Sequence, residues 1–272
     1  MASWVAWTPY VLSQNGLGVW DFTFPGGDGL SQLTGVLPGA YLGPIGAAVL
    51  ITAVTQGRLG LRTWLGRMLR WRVGWRWYAA TLLGVPLVMV LATTVMGGTP
   101  TAPGALVLIA LVPGLVMQVL TTGLAEEPGW RDFALPRLQD RFGPLGAAAI
   151  LGPLWGAWHL PLFLTDWAGG DSTWVDVVVF LAFTCCFNVV MTWVFNRTGQ
   201  SVPLAMLLHV SVNNTASIAW SDTFPGLGGA DLQRALLLAA AIAAAILLVA
   251  TRGRLGYPGA VVRTHHLTKM GD

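Results

Sequence analysis

Seven stretches of about twenty predominantly apolar residues constrain this chain more than any other feature: 36–55, 79–97, 104–125, 144–164, 174–195, 202–220 and 232–251. About 20 such residues are what one helix needs to cross roughly 30 Å of hydrocarbon. Lipid offers no hydrogen-bond partners, so the backbone must satisfy itself within each helix. The expected fold is therefore all-α: a polytopic transmembrane helical bundle of seven full spans. A short first helix, Ala2–Leu12, precedes them and cannot cross alone; it reads as a truncated span or an interfacial segment. Charged residues make up only 10% of the 272, against 54% apolar. A soluble domain carries about a quarter charged residues, and a disordered chain needs the opposite balance. The two cysteines, Cys185 and Cys186, are adjacent, which excludes a disulfide framework and a CxxC zinc site.

The charges sort by side. Fourteen of the fifteen basic residues fall on one face of the membrane if span 36–55 enters from outside. Arg and Lys mark the cytoplasmic side, so the C-terminus is expected in the cytoplasm, in a bacterial-type cytoplasmic membrane. Six arginines and no acid lie between Arg58 and Arg76, interleaved with Trp64, Trp71 and Trp75. Beside a membrane this pattern reads as an interfacial segment, with Trp at headgroup level and Arg on anionic lipid, and not as a nucleic-acid surface. The domain plan is one membrane domain, 1–272. It contains a core at about 104–220, a basic interfacial segment at 57–77 and a cytoplasmic tail at 252–272.

Polar groups inside spans are costly and invite a functional reading. Glu126 and Glu127 end span 104–125 in LAEEPGWRDF; His159 lies in LWGAWHLPLF; Asn188 lies in span 174–195; His209, Asn213 and Asn214 lie in LLHVSVNNT. Each has a plain structural explanation: a solvated helix end, a histidine bonded to a carbonyl, an amide joining helices. Paired carboxylates at a helix C-terminus, however, face the negative end of the dipole, and Arg131 can compensate only one of them. His209 and Asn213 share a helix face at i, i+4. Taken together the set is harder to explain as packing. Glutamate with histidine can polarise a water, while a second histidine and an amide stabilise an oxyanion. Equally, Glu126, His159 and His209 could hold a divalent metal such as zinc, with a position open for water. Either arrangement gives amide hydrolysis. No GxSxG elbow and no HExxH motif occurs. His265 and His266 sit in the polar tail, with no role assigned.

At these residues the sequence resembles the CPBP family, which comprises CAAX prenyl protease type II and bacteriocin-processing, Abi-like proteins. EExxxR appears as Glu126, Glu127 and Arg131. FxxxH appears at Trp155–His159, with Trp in place of Phe. HxxxN/D appears as His209 and Asn213. The resemblance implies an intramembrane endopeptidase acting on a membrane-associated peptide or protein. It implies Glu126 as the base activating water, His159 helping to hold that water, His209 and Asn213 stabilising the oxyanion, and Glu127 and Arg131 orienting the pocket. It leaves open whether a metal is needed; no other cofactor is expected. The partners expected are the substrate and the bilayer, with no nucleic acid. The alternatives are a non-enzymatic scaffold or bacteriocin-immunity factor of the same fold, and a proton-carrying transporter, although no internal repeat supports the last. Two structural expectations follow. Glu126, His159, His209 and Asn213 should converge. For the two histidines to lie level, helix 144–164 should begin after Pro144 or tilt; the later start is expected, with part of 132–146 forming an amphipathic interfacial helix.

Overall fold

The computed structural model describes residues 1–169 and 172–257, apart from the side chains of Gly27 and Asp28; the tail beyond Tyr257, with His265 and His266, lies outside the described residues. All the regular structure is helical, with no strand among the described residues. A short helix α1 (Ala2–Leu12) precedes six helical runs long and apolar enough to cross a membrane. These are α2 (Gly29–Met68), α3 (Trp75–Val95), α4 (Ala105–Leu164), α5 (Trp174–Arg197), α6 (Val202–Thr223) and α7 (Gly229–Thr251). The protein is thus an integral membrane helical bundle, with six such helices and not the seven full spans expected.

The difference lies in α4. Expected spans 104–125 and 144–164 fall in one run, because helical hydrogen bonding continues through the segment between them. The run is not straight. Gly143, at φ 68° and ψ 174°, leaves helical geometry and turns the chain back; a left-handed φ of this kind favours glycine. The indole of Trp155 consequently reaches the carboxylate of Glu126, 29 residues earlier. In a straight helix those residues would stand about 44 Å apart. The turn comes directly before Pro144, so the returning arm does not begin later than that residue, as had been expected. Residues 135–142 are helical on the near side of the turn.

In α2, the backbone leaves helical geometry at Gly57 (φ 60°, ψ −153°). The arginine-rich stretch after it is anchored to α4: Trp64 Nε1 donates to Pro128 O at 3.1 Å, and Arg67 pairs with the buried carboxylate of Asp132. In the other half of α2, Gly35, Gly39 and Gly43 form a stripe of small residues one turn apart. A Cβ on any of them would collide with Tyr10, Trp7 and Ser3 respectively. Such small-residue stripes let two membrane helices approach closely. Here the stripe receives α1 antiparallel, with Trp7 and Tyr10 fully buried. Ala2–Leu12 is therefore a helix packed into the bundle, not a segment lying on its surface.

Candidate active site

The acidic pair lies where α4 is least regular. Residues Leu124–Glu127 form a single α-turn between two π-helical stretches, Val119–Gly123 and Pro128–Ala134. Wider turns of this kind recur at functional sites because they reset which way successive side chains point. Glu126 and Glu127 accordingly face different partners, and both are buried.

Glu127 is fully enclosed. Its Oε2 accepts from Arg131 Nε at 3.0 Å and its Oε1 meets His209 Nδ1 at 2.8 Å. Arg131, also fully buried, donates to the side-chain oxygen of Asn188, whose amide donates onward to Ala148 O at 2.8 Å. The i, i+4 spacing of Glu127 and Arg131 makes their pairing local; Asn188 and His209 bring in α5 and α6. A buried charge is tolerable only when it is paired and hydrogen-bonded, and this network supplies the pairing.

Glu126 faces the other way. Its Oε2 accepts from Trp155 Nε1 at 2.8 Å. It lines a cavity of about 290 Å³ together with His159, His209 and Asn213, so all four residues expected to converge do so. The wall between them is aromatic: Trp155, Trp158, Trp167, Phe180 and Phe187 all contribute. Gln118, Thr121 and Thr122 add polar groups on the α4 side.

His159 is held by its own helix, with Nδ1 2.9 Å from Trp155 O. A carbonyl oxygen can only accept, so Nδ1 carries the proton and Nε2 keeps a lone pair in the neutral ring. Its ring stacks on Trp167 at 5.6 Å and meets Trp158 edge-on at 4.6 Å. Four residues separate it from Trp155, so it lies about 6 Å further along the helix than the Glu126 contact.

Three residues around this site were undervalued in the sequence. Trp155, read as a bulky departure from FxxxH, supplies a donor to Glu126, and its ring packs 5.1 Å from both the Arg131 guanidinium carbon and the His209 ring centroid. Asn188, read as an amide joining helices, completes the Arg131 shell. Trp158 connects the site to α1: its Nε1 donates to Ser3 Oγ at 2.7 Å and its carbonyl accepts from Trp4 Nε1 at 3.0 Å. The GxxxGxxxG stripe that seats α1 is the signal that sequence reasoning passed over.

Among the described residues, no three His, Cys, Asp or Glu side chains are gathered as a metal site. Glu126 is turned to an indole, and His159 to a carbonyl one turn away.

The class defined so far is a polytopic helical membrane protein with a buried carboxylate–arginine–histidine network beside an aromatic cavity. Residues 108–215, which contain all six motif residues, match the family described as type II CAAX prenyl endopeptidase Rce1-like. A relative, CAAX prenyl protease 2 of Methanococcus maripaludis, is 29% identical over 107 residues, covering 38% of this chain and 39% of that protein. The chain thus spans about two fifths of the length of that curated relative. Over this core the chain is similar to type II CAAX prenyl endopeptidases, the likeness that the three motifs implied.

Proposed function

We propose that the chain is an intramembrane endopeptidase that hydrolyses a peptide bond of a membrane-associated peptide or protein, using a glutamate-activated water. The observation that carries this reading is the convergence of Glu126, His159, His209 and Asn213, from α4 and α6, on one cavity. The assignment of the core to 104–220 rests on the same residues, and the assignment of the basic face to the cytoplasm rests on the distribution of arginines.

The roles follow from the hydrogen bonds. Glu126 has one oxygen bonded to Trp155, leaving the other to take a proton from water. The lone pair on His159 Nε2 accepts that water's second hydrogen and holds its oxygen towards the substrate carbonyl. Attack gives a tetrahedral intermediate. Asn213 and the imidazolium form of His209 donate to its oxyanion; Glu127, bonded to His209 Nδ1, turns Nε2 towards the cavity. Glu126 then passes its proton to the leaving amine. Glu127, Arg131 and Asn188 touch no substrate and act as positioning residues.

The test is turnover by the purified full chain in lipid vesicles, on a panel of lipidated and unlipidated peptides. Cleavage by the wild-type chain, with a loss of about 10²–10⁴-fold in Glu126→Gln at unchanged melting temperature, is the expected result. A fully active Glu126→Gln variant refutes the assigned base. Binding of peptides without any cleavage would favour the scaffold reading.

A further inference from the structure

A second constellation lies on the membrane face that carries the arginines. A recess of about 540 Å³ is lined by Trp193, Arg197, Thr251, Arg254, Gly256 and Tyr257. Arg197 and Arg254 are both exposed. Among the described residues, neither pairs with a carboxylate. Tyr257, in the recess wall, donates its hydroxyl to Asp140 at 2.7 Å.

The turn that presents Arg254 is tightly held. Leu255 takes a left-handed φ of 44° yet is fully buried. Its carbonyl accepts from Asn196 Nδ2 at 3.0 Å and its N–H donates to Thr251 Oγ1 at 3.1 Å. The stem of Arg197 lies over Gly256, where a Cβ would come within 2.5 Å of Arg197 Cδ. Asn196 and Arg197 are neighbours on α5, so one helix end fixes both arginines relative to each other.

Trp193, one turn before Arg197, also lines a separate groove of about 270 Å³ between α3, α5, α6 and α7. The groove is almost wholly apolar, with Val85, Met89, Phe183 and Ala243 among its walls. Thr81, a hydroxyl in that wall, donates to Trp77 O at 3.0 Å. Trp77 and Trp193 face each other at 5.2 Å at the arginine end. From Trp193 to Phe183 is ten residues of α5, about 15 Å, which is the hydrocarbon depth of one leaflet.

We propose that recess and groove form one binding site for an anionic phospholipid, with the phosphate between Arg197 and Arg254 and one acyl chain in the groove past Trp193. The charge argument selects the lipid class. Two unpaired guanidiniums favour a headgroup with net negative charge, whereas a zwitterionic headgroup brings its own cation. The apolar groove selects a lipid over a free phosphate. The proposal does not rest on the peptidase reading: its two arginines lie outside the catalytic cavity, although Phe183 and Phe187 wall both the groove and that cavity.

The test uses the full chain in mild detergent, with phosphatidylglycerol or phosphatidylcholine of matched acyl chains, and counts retained lipid by native mass spectrometry. The wild-type chain should retain phosphatidylglycerol preferentially. Each arginine near a headgroup contributes about five-fold, so R197Q/R254Q should lower that retention about thirty-fold. R197K/R254K should keep most of it, and Ala243→Phe, which fills the groove, should lower retention of both lipids. Equal retention of the two lipids by the wild-type chain overturns the proposal, as does unchanged retention in R197Q/R254Q or in Ala243→Phe. Displacement of phosphatidylglycerol from the wild-type chain by excess inorganic phosphate also overturns it, since that would mark a site for the free anion. The last measurement needs no variant to fold.

Discussion

The motif core and the α1 brace both fix groups around the same cavity, but they do so by opposite means. In the core, Glu127, Arg131, Asn188 and His209 hold one another through charged, fully buried hydrogen bonds. At the brace, Ser3, Trp4 and Trp7 hold Trp158 and α2 through neutral donors and close packing, with Trp7 and Trp158 at 4.8 Å and Trp7 Nε1 bonded to Val36 O at 2.7 Å. A charged network in a low-dielectric interior fails badly when one member is removed, because its partner remains buried and unpaired. A packed brace of neutral groups fails by degrees. The two regions should therefore respond to substitution on different scales.

Arg131→Ala probes the charged side and carries the largest stability effect. It strands Glu127 beside a single imidazole and leaves the Asn188 oxygen without its donor. Breaking a buried pair in this way costs about 3–5 kcal/mol. Thermal or denaturant melting in detergent should show it, with turnover lost alongside. A loss below about 1 kcal/mol would mean the network is solvated and the contrast with α1 false.

Trp155→Phe is subtler, because it restores the side chain of the FxxxH motif. The ring survives, but the donor to Glu126 is lost. A hydrogen bond to a charged group contributes about 1.5–3 kcal/mol. Turnover should fall roughly tenfold or more, with a drop in melting temperature smaller than that of Arg131→Ala. Unchanged turnover would reduce Trp155 to a packing residue. Gly39→Leu tests the brace by forcing a side chain into Trp7. Overpacking of this kind costs about 1–3 kcal/mol. The expected signature is labelling of a cysteine placed at Ser3, buried in the parent, at a melting temperature only modestly lowered. Protection of that cysteine in the Gly39→Leu background would show that α1 is held by something other than the stripe.

The core was legible in the sequence because its chemistry is concentrated in short-range patterns: EExxxR and HxxxN put partners one turn apart, and apolar helices make each buried polar residue conspicuous. The convergence of Glu126, His159, His209 and Asn213 was expected from the family resemblance, since no local spacing joins the two arms of α4 to α6. The two apolar stretches counted within 104–164 fall in one kinked helical run, because hydropathy marks where lipid is met, not where hydrogen bonding pauses. The chain turns at Gly143 without leaving helix on either side. Trp155 and Asn188 were underestimated for a different reason. Their contacts reach 29 and 57 residues along the chain, to Glu126 and Arg131, and no local spacing encodes them. The brace was hidden by composition: with 34 glycines in the chain, three of them at four-residue intervals do not stand out.

Ser3→Ala is the smallest perturbation and separates the brace from the core most cleanly. Ser3 is buried against Gly43, and its Oγ accepts the Trp158 indole proton at 2.7 Å. Alanine fits the same space, so packing against α2 is retained and only the acceptor is lost. A neutral hydrogen bond contributes about 0.5–1.5 kcal/mol net. Trp158 still has Trp7 against its ring and Trp4 on its carbonyl, which limits its movement. Trp158 lines the cavity and touches His159 edge-on, so a shift of that indole is felt at the cavity wall and at the His159 ring. The expected result is a small drop in melting temperature, with turnover reduced less than tenfold and the reduction appearing in kcat more than in KM, because His159 is proposed to hold the water and not the peptide. A KM effect alone would assign Trp158 to substrate binding. A loss as large as that of Arg131→Ala would show that the brace and the charged network are one cooperative unit.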